Sequence, residues 1–275
     1  MDYQELKKDL LLVGILVSFL TPFVRSSINL ALPALAFEFD LSAVFLTWIS
    51  TVYLLVNAIL YIPFGRIGDI YGRKRIFQYG LIIFTISSFI SAFSPSGEIF
   101  LAFRVFQAIG NAMIFANLNA MISSAFPVNE RGKAFGLTSM SVFVGLILGP
   151  ILGGVITEIV GWRTLFYVDT IIGIVATYAI TRFKHDWIDA EGEKLDIVGS
   201  FLLGISLITI LYGFSDFTSK YSLFLIIGGI IGLSLFYLVE KRVEFPLINL
   251  SLFKSKRFTF GNITAFINYA AFVSV

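Results

Sequence analysis

Eight apolar runs, each about as long as a membrane-crossing helix, follow one another along the chain and restrict what it can fold into. A helix needs about 20 mostly apolar residues to cross the hydrocarbon core of a bilayer. Charged residues make up only 14% of the chain, against about 25% in soluble domains. The sequence therefore predicts an all-α polytopic membrane protein. The runs lie near residues 10–35, 43–64, 76–93, 98–122, 134–157, 164–182, 196–214 and 222–240.

A ninth apolar run starts near Phe258 and is still continuing at Val275. We expect it to be a truncated span, and the chain to be part of a longer protein.

Basic residues alternate regularly between the two sides of these runs. Lys and Arg are enriched in cytoplasmic loops. With the amino terminus placed in the cytoplasm, the inner segments hold 16 of the 20 Lys and Arg residues, and the outer loops hold only Arg163 and Lys220. This distribution predicts cytoplasmic segments at 183–195 and 241–257 and an outer loop at 215–221.

A charged segment with three glycines, residues 65–75, separates the second run from the third. Its charges predict a short cytoplasmic loop, which any polytopic protein needs. Its pattern Gly-x-x-x-Asp-x-x-Gly-Arg-Lys resembles the signature loop between spans 2 and 3 of the major facilitator superfamily. The resemblance implies that Gly65, Asp69, Gly72 and Arg73 form a cytoplasmic latch between the two halves of a transporter.

The fourth run carries Leu101-x-x-Arg104-x-x-Gln107-x-x-Gly110, similar to the family motif whose arginine faces a central cavity. Residues three apart share a helix face, and charged residues inside spans usually face the bundle interior. The alternative is that Arg104 extends to the outer interface. The other candidates for a cavity lining are Asn29, Tyr53, Asn57, Asn111 and Asn117.

The fifth run contains Gly-x-x-x-Gly-Pro-x-x-Gly-Gly. Glycines four residues apart let a neighbouring helix approach closely, and a proline bends a helix. The pattern resembles the antiporter motif of exporters in the superfamily, which implies outward transport. Its residues are Gly145, Gly149, Pro150, Gly153 and Gly154.

The first run departs from the family pattern, because Val24 and Arg25 stand where an aspartate is usual. We expect no Asp or Glu deep in any complete span, with Asp169 at a membrane edge, so no proton carrier is identified. Arg25 and Arg104 would then seek polar groups such as Asn29 and Gln107. This favours neutral or acidic substrates over lipophilic cations, unless Arg25 reaches the interface or pairs with a carboxylate beyond residue 275.

The segment from Glu240 to Pro246 and the connectors at 129–136 and 161–167 resemble the 14-span drug:proton antiporter branch. That resemblance implies a six-helix amino-terminal bundle built from two inverted three-helix repeats. The implied domains are the bundle at 1–182, a cytoplasmic linker at 183–195, an extra helix pair at 196–240, a cytoplasmic loop at 241–257 and the start of a carboxy-terminal bundle at 258–275.

The resemblance implies a monomeric plasma-membrane transporter that exports a small amphipathic compound or drug by proton antiport through alternating access. An uptake symporter of the same fold and a transport-dead sensor or assembly partner are the alternatives. An enzyme is not expected, because no span carries a nucleophile–base pair or a metal cluster. We expect no cofactor beyond the proton gradient, no metal and no nucleic acid, since the chain has no cysteine, no phosphate-binding glycine loop and no basic aromatic stripe.

Overall fold

The computed structural model of the protein describes residues 3–183, 185–215 and 220–273. Every regular element in those ranges is helical, so the predicted all-α architecture is confirmed. The elements are α1 Tyr3–Phe39, α2 Ala43–Tyr71, α3 Arg73–Ser91, α4 Gly97–Ala125, α5 Val128–Ile159, α6 Arg163–Thr181, α7 Ile197–Ser215, α8 Ser222–Glu240, a 3₁₀ helix at Leu250–Lys254 and α9 Lys256–Val273.

Seven of the described helices, all except α3 and α9, are long and apolar enough to cross a membrane. Helix α3 has 19 residues, or about 28 Å, close to the thickness of the hydrocarbon core. It is more polar because it begins with Arg73, Lys74 and Arg75. It also carries Thr85, Ser87, Ser88 and Ser91, which are buried inside the protein. Helix α9, where the ninth run was predicted, begins at Lys256 and is also more polar than the other seven.

Two predicted connectors are instead parts of helices. Helix α2 continues to Tyr71 and α5 begins at Val128, so most of segment 65–75 and all of segment 129–136 are helical, and the loop prediction for them is wrong. Charged residues can be part of a helix where it projects beyond the lipid, because water and ion pairs stabilise their charges there. One such pair joins Lys7 to Glu130 at 2.7 Å.

The chain divides into two compact units, Met1–Glu193 and Lys194–Val275. In the first unit, α1 packs on α5 and α4 packs on α2, while α3 packs on α4 and α6 packs on α1. If α1, α2 and α3 are exchanged with α4, α5 and α6 in that order, each of these contacts becomes another contact in the same set. This is the relation expected of two three-helix repeats.

Two apolar clusters fill the interior of the first unit. One includes Leu10, Phe84 and Phe183. The other is built around Phe100 and Phe166, whose rings meet edge to face at 5.4 Å. On α3, α4 and α6 several buried polar residues fall between a residue of one cluster and a residue of the other. We call this set the polar layer: Ser88 on α3, Arg104, Gln107 and Asn111 on α4, and Asp169 on α6, together with Tyr53 and Asn57 on α2.

The second unit contains the antiparallel hairpin of α7 and α8, which pack closely at small residues. Ser222 Oγ donates to the carbonyl oxygen of Gly213 at 2.6 Å. Most of the predicted outer loop, residues 216–219, lies outside the described ranges, as does Lys184 of the predicted linker.

Candidate functional site

Arg104 lies in the polar layer and is only 1% exposed. Its guanidinium donates to Gln107 Oε1, and Gln107 Nε2 donates in turn to Ser88 Oγ at 2.7 Å. The guanidinium also lies 4.5 Å from the centroid of the Tyr53 ring, within the range of a cation–π interaction. The arginine therefore faces the bundle interior and does not extend to the outer interface.

Asp169 is a buried carboxylate that sequence analysis missed. It is 2% exposed, so it is enclosed by the bundle, which its expected place at a membrane edge did not indicate. Helix α6 begins at Arg163, which places Asp169 almost two turns inside the helix. The sequence contained a signal for this burial. Asp169, Gly173, Ala176 and Ile180 are spaced three or four residues apart and so share one face of the helix. All four are buried in the structure.

Asp169 and Arg104 act on each other electrostatically, although none of the ion pairs among the described residues joins them. Asp169 Oδ1, Arg104 Nε and Tyr53 Oη are all buried and have no hydrogen-bond partner in the described part of the chain. Leaving such groups unsatisfied costs about 1–3 kcal/mol each. Three of them in one layer leave hydrogen-bonding capacity that a proton, water or a polar substrate group can satisfy.

A second series of hydrogen bonds connects α1, α2 and α4 on the same face of α4 as Arg104. Thr21 Oγ1 donates to Asn111 Oδ1 at 2.8 Å, Asn111 Nδ2 donates to Asn57 Oδ1 at 2.5 Å, and Asn57 Nδ2 donates to a backbone carbonyl of its own helix. Asn117 donates to carbonyl oxygens of α2 and α4. These asparagines hold neighbouring helices together.

The structure does not bring Arg25 and Asn29 together with Arg104 and Gln107. Asn29 is exposed and accepts a hydrogen bond from Ser50 Oγ at 3.0 Å. Arg25 is half-buried and makes no hydrogen bond or ion pair with the residues described here, yet it acts electrostatically on Tyr53. Its guanidinium is therefore near Tyr53 of the polar layer and unpaired among the residues that the structure describes.

Three glycines of the fifth-run motif form a close contact between α5 and α1, which we call the glycine seam: Gly145, Gly149 and Gly153. A Cβ atom on Gly149 would lie 3.0 Å from the carbonyl oxygen of Phe23, and one on Gly153 would lie 2.7 Å from Ser27 Cα. Real Cβ contacts are rarely this short, so the two backbones approach closely only because these positions lack side chains.

The other two residues of that motif lie outside the seam. Pro150 is exposed, and a Cβ atom on Gly154 would approach no closer than 4.0 Å, to Leu30 Cγ. A similar contact that the sequence did not reveal joins α3 to α4, where a Cβ atom on Gly80 would lie 2.7 Å from the carbonyl oxygen of Gly110.

The predicted latch residues lie where α2 ends and α3 begins. The Asp69 carboxylate pairs with Arg73 at 2.7 Å. Arg73 also pairs with Asp189 at 2.6 Å and donates to Ser124 Oγ at 3.0 Å. Gly72 alone separates the two helices, and its φ of 111° is accessible mainly to glycine.

Residues 185–193 close over this turn and are more than a solvated linker. The carboxylate of Asp186 accepts hydrogen bonds from the backbone N–H groups of Lys74 at 2.8 Å and Arg75 at 3.3 Å. It thereby caps the amino terminus of α3 with a negative charge. The carbonyl oxygen of Asp69 accepts two hydrogen bonds from the segment, at 3.0 and 3.1 Å.

Gly65 is the least constrained of the predicted latch residues. A Cβ atom there would lie 3.9 Å from the carbonyl oxygen of Ala116 on α4, an ordinary contact. Its neighbour Arg66 instead forms an ion pair with Glu193, which adds a further link between the end of α2 and the covering segment.

Sequence comparisons agree on one family. The family model described as Major Facilitator Superfamily matches residues 14–275. The riboflavin transporter RibZ of Clostridioides difficile (strain 630) is 34% identical over 246 residues, which cover 89% of this chain and 54% of that protein. Multidrug resistance protein 3 of Bacillus subtilis (strain 168) is 28% identical, with 96% of this chain and 52% of that protein covered. Multidrug resistance protein Stp of Mycobacterium tuberculosis (strain CDC 1551 / Oshkosh) is 25% identical, with 92% and 48% covered.

The chain thus spans about half the length of the curated relatives it matches. Solved structures of transporters share its fold. The crystal structure of the peptide transporter POT with sulfate superposes with a TM-score of 0.63 at 12% identity, over 80% of this chain and 56% of that one. A bacterial homologue of the human lysosomal transporter Spinster, inward-facing and unoccupied, gives a TM-score of 0.58 at 22% identity, over 90% and 65%. At these identities the likeness concerns the fold alone.

Proposed function

Because this chain belongs to the major facilitator superfamily, we propose that it exports a small amphipathic compound across the plasma membrane in exchange for protons. Two of its relatives are named as multidrug resistance proteins, and the fifth-run motif resembles that of exporters. The distribution of Lys and Arg supports a cytoplasmic amino terminus. The α7–α8 hairpin follows six helices, as the extra helix pair of the 14-span drug:proton antiporter branch would, and so supports the assignment of the chain to that branch.

The observation that carries this proposal is the polar layer with its unsatisfied atoms. Burying Arg104 and Asp169 between two apolar clusters is costly, and a bundle with only a structural role would gain nothing from leaving them incompletely paired. When the guanidinium of Arg104 approaches Asp169, it favours the ionised form of the carboxylate. When Asp169 is protonated, the guanidinium is free to bind another acceptor. We infer that Asp169 carries the proton within this unit, and that Arg104 couples its charge state to the substrate.

Alternating access requires the bundle to move against its partner while its own packing stays intact. The glycine seam supports this, because closely packed backbones move as one body. The network of Asp69, Arg73 and Asp189 supports a latch that opens and closes, since both of its carboxylates are partly exposed and ion pairs open to water contribute little stability.

The test is transport by the full-length protein in energised everted vesicles, with riboflavin and ethidium as probes. We expect one of them to accumulate in the lumen, and a protonophore to abolish the accumulation. Asp169→Asn should reach the membrane at wild-type level but lose gradient-driven accumulation. Glu158→Gln, which changes an exposed carboxylate on α5, is the matched control and should transport normally. Unchanged transport by Asp169→Asn would show that the proton is carried elsewhere.

The guanidinium of Arg25 supports neutral or acidic substrates over permanent cations. We expect wild-type protein to transport riboflavin better than ethidium, and Arg25→Ala to reduce this preference severalfold, because a positive charge at the edge of the polar layer repels cations. Ethidium export that exceeds riboflavin export and is unaffected by Arg25→Ala would rule out this substrate class.

Uptake in symport with protons is the second candidate, favoured by the likeness to a protein named as a riboflavin transporter. The two candidates differ in direction. Riboflavin that accumulates only in right-side-out vesicles with an acidic exterior would favour uptake and contradict export.

A further inference from the structure

Two buried carboxylates meet at one end of the α7–α8 hairpin in the second unit. Asp196 immediately precedes α7, and its Oδ1 accepts a hydrogen bond from the N–H of Gly199 at 2.8 Å. Glu240 is the last residue of α8, and its Oε1 accepts from the N–H of Ile248 at 2.6 Å. Each carboxylate is thus held in place through one of its oxygens.

The remaining oxygens, Asp196 Oδ2 and Glu240 Oε2, are buried and receive no hydrogen bond from the described residues. Asp196 is 8% exposed and Glu240 is 3% exposed. Both flank Gly199, since a Cβ atom there would lie 2.9 Å from Asp196 Cγ and 3.2 Å from Glu240 Oε2. That Cβ atom would lie closer still to Asp196 Oδ2, so the two unpartnered oxygens are close neighbours and the two carboxylates repel each other.

Within the described part of the chain, no positive charge compensates the pair. Among the described residues, no Lys or Arg lies within ion-pair distance of either carboxylate. The nearby basic side chains are exposed, and that of Lys241 lies 4.3 Å from the centroid of the Tyr237 ring. The titratable and charged residues along the elements around the pair are Lys194, Tyr237, Lys241, Arg242, Glu244 and Lys254.

Two like charges beside each other, both withdrawn from water, repel, and this repulsion favours binding of a proton by the pair. We propose that Asp196 and Glu240 share one proton, held between Oδ2 and Oε2, and so form a proton-binding site in the α7–α8 hairpin. One proton satisfies both unpartnered oxygens and removes the repulsion. A divalent metal ion fits less well, because the described part of the chain contains no group of three His, Asp or Glu residues that could hold one.

The shared proton has a route for exchange with water. Glu240 lines a cavity of about 810 Å³ between the end of α8 and the 3₁₀ helix. Exposed Glu244 and Lys254 line the same cavity, so water can reach its mouth. The proton of the site can therefore exchange with water at this cavity.

Infrared spectroscopy of the purified full-length protein tests this directly. At neutral pH, the spectrum of wild type minus that of Asp196→Asn/Glu240→Gln should show the C=O stretch of one protonated carboxyl group, shifted in D₂O. The paired amides can still hydrogen-bond, so the double variant should fold. Glu244→Gln, on the exposed side of the same loop, should give no such band. Absence of the wild-type band would overturn the proposal, and so would its loss on replacing potassium or choline with sodium, which would assign the site to a monovalent cation.

Thermal unfolding provides a second measurement that does not need a spectral band. Raising the pH into the alkaline range removes the shared proton and leaves two adjacent charges, so wild-type protein should lose more thermal stability than the double amide variant. Parallel pH profiles for the two proteins would contradict a proton shared at neutral pH.

Discussion

Gly153 and Gly154 are neighbours in α5, yet an added methyl group would meet different surroundings at the two positions. In Gly153→Ala the new Cβ would lie 2.5 Å from Ser27 Cβ and 2.7 Å from Ser27 Cα, so α1 and α5 must separate. In Gly154→Ala the nearest atom would be Leu30 Cγ at 4.0 Å, an ordinary contact. The pair thus tests the glycine seam with one chemical change at two adjacent sites.

The expected magnitude follows from two terms. Alanine is favoured over glycine in a helix by up to about 1 kcal/mol, and this gain is the same at both positions. Overpacking a closely packed contact costs about 1–3 kcal/mol and applies only to Gly153→Ala. The difference in unfolding free energy between the two variants is therefore the overpacking cost alone, about 1–3 kcal/mol in favour of Gly154→Ala.

Thermal unfolding of the detergent-purified full-length protein, followed by tryptophan fluorescence, measures this difference. Each kcal/mol corresponds to about 2–4 °C in melting temperature for soluble proteins of roughly this size, so Gly153→Ala should melt several degrees below Gly154→Ala. If the seam also holds α1 and α5 together during transport, Gly153→Ala should transport more slowly. Equal melting temperatures would refute the argument, because they would mean that the two helices have room to separate.

Two further predictions concern the turn between α2 and α3. Asp69→Asn should reduce transport severalfold while unfolding free energy falls by only about 0–1 kcal/mol, because Arg73 keeps its ion pair with Asp189. Transport assays beside melting curves check this, and wild-type transport by a well-expressed variant would remove Asp69 from the latch. Asp186→Ala should destabilise the protein by about 0.5–2 kcal/mol, because α3 loses its cap, whereas Glu191→Ala, an exposed acid in the same segment, should have little effect. Equal melting temperatures for these two alanine variants would contradict the capping role.

Much of the fold was predictable because helices in lipid must satisfy their own backbone and expose apolar side chains. Every predicted apolar run coincides with a helix, including the third, whose hydroxyl groups are buried. The pairing of Arg104 with Gln107 was also predictable, because residues three apart on one helix meet without knowledge of any other helix. The sequence alone did not show where the helices end. Helix α2 continues through its charged residues and stops only at Gly72, because of the backbone conformation of that glycine.

Contacts between distant segments were not predictable in the same way. Asp169 was assigned to a membrane edge because its position was counted along one helix, whereas its burial depends on α6 packing against α1 and α3. The capping role of Asp186 could not be predicted for a similar reason, because it requires the amino terminus of α3, more than 100 residues earlier, to lie beside it. In both cases the chemistry was visible in the sequence and its partner was not.

The turn between α2 and α3 is best understood as a joint between two helix ends. Because α2 stays helical to Tyr71, Asp69 and Arg73 are held on either side of a single flexible residue, Gly72. Residues 185–193 contact both helix ends, so displacing the segment would break the Arg73–Asp189 pair, the Asp186 cap and the bonds to the Asp69 carbonyl in one step. We therefore expect these contacts to break together, as a switch with two positions requires.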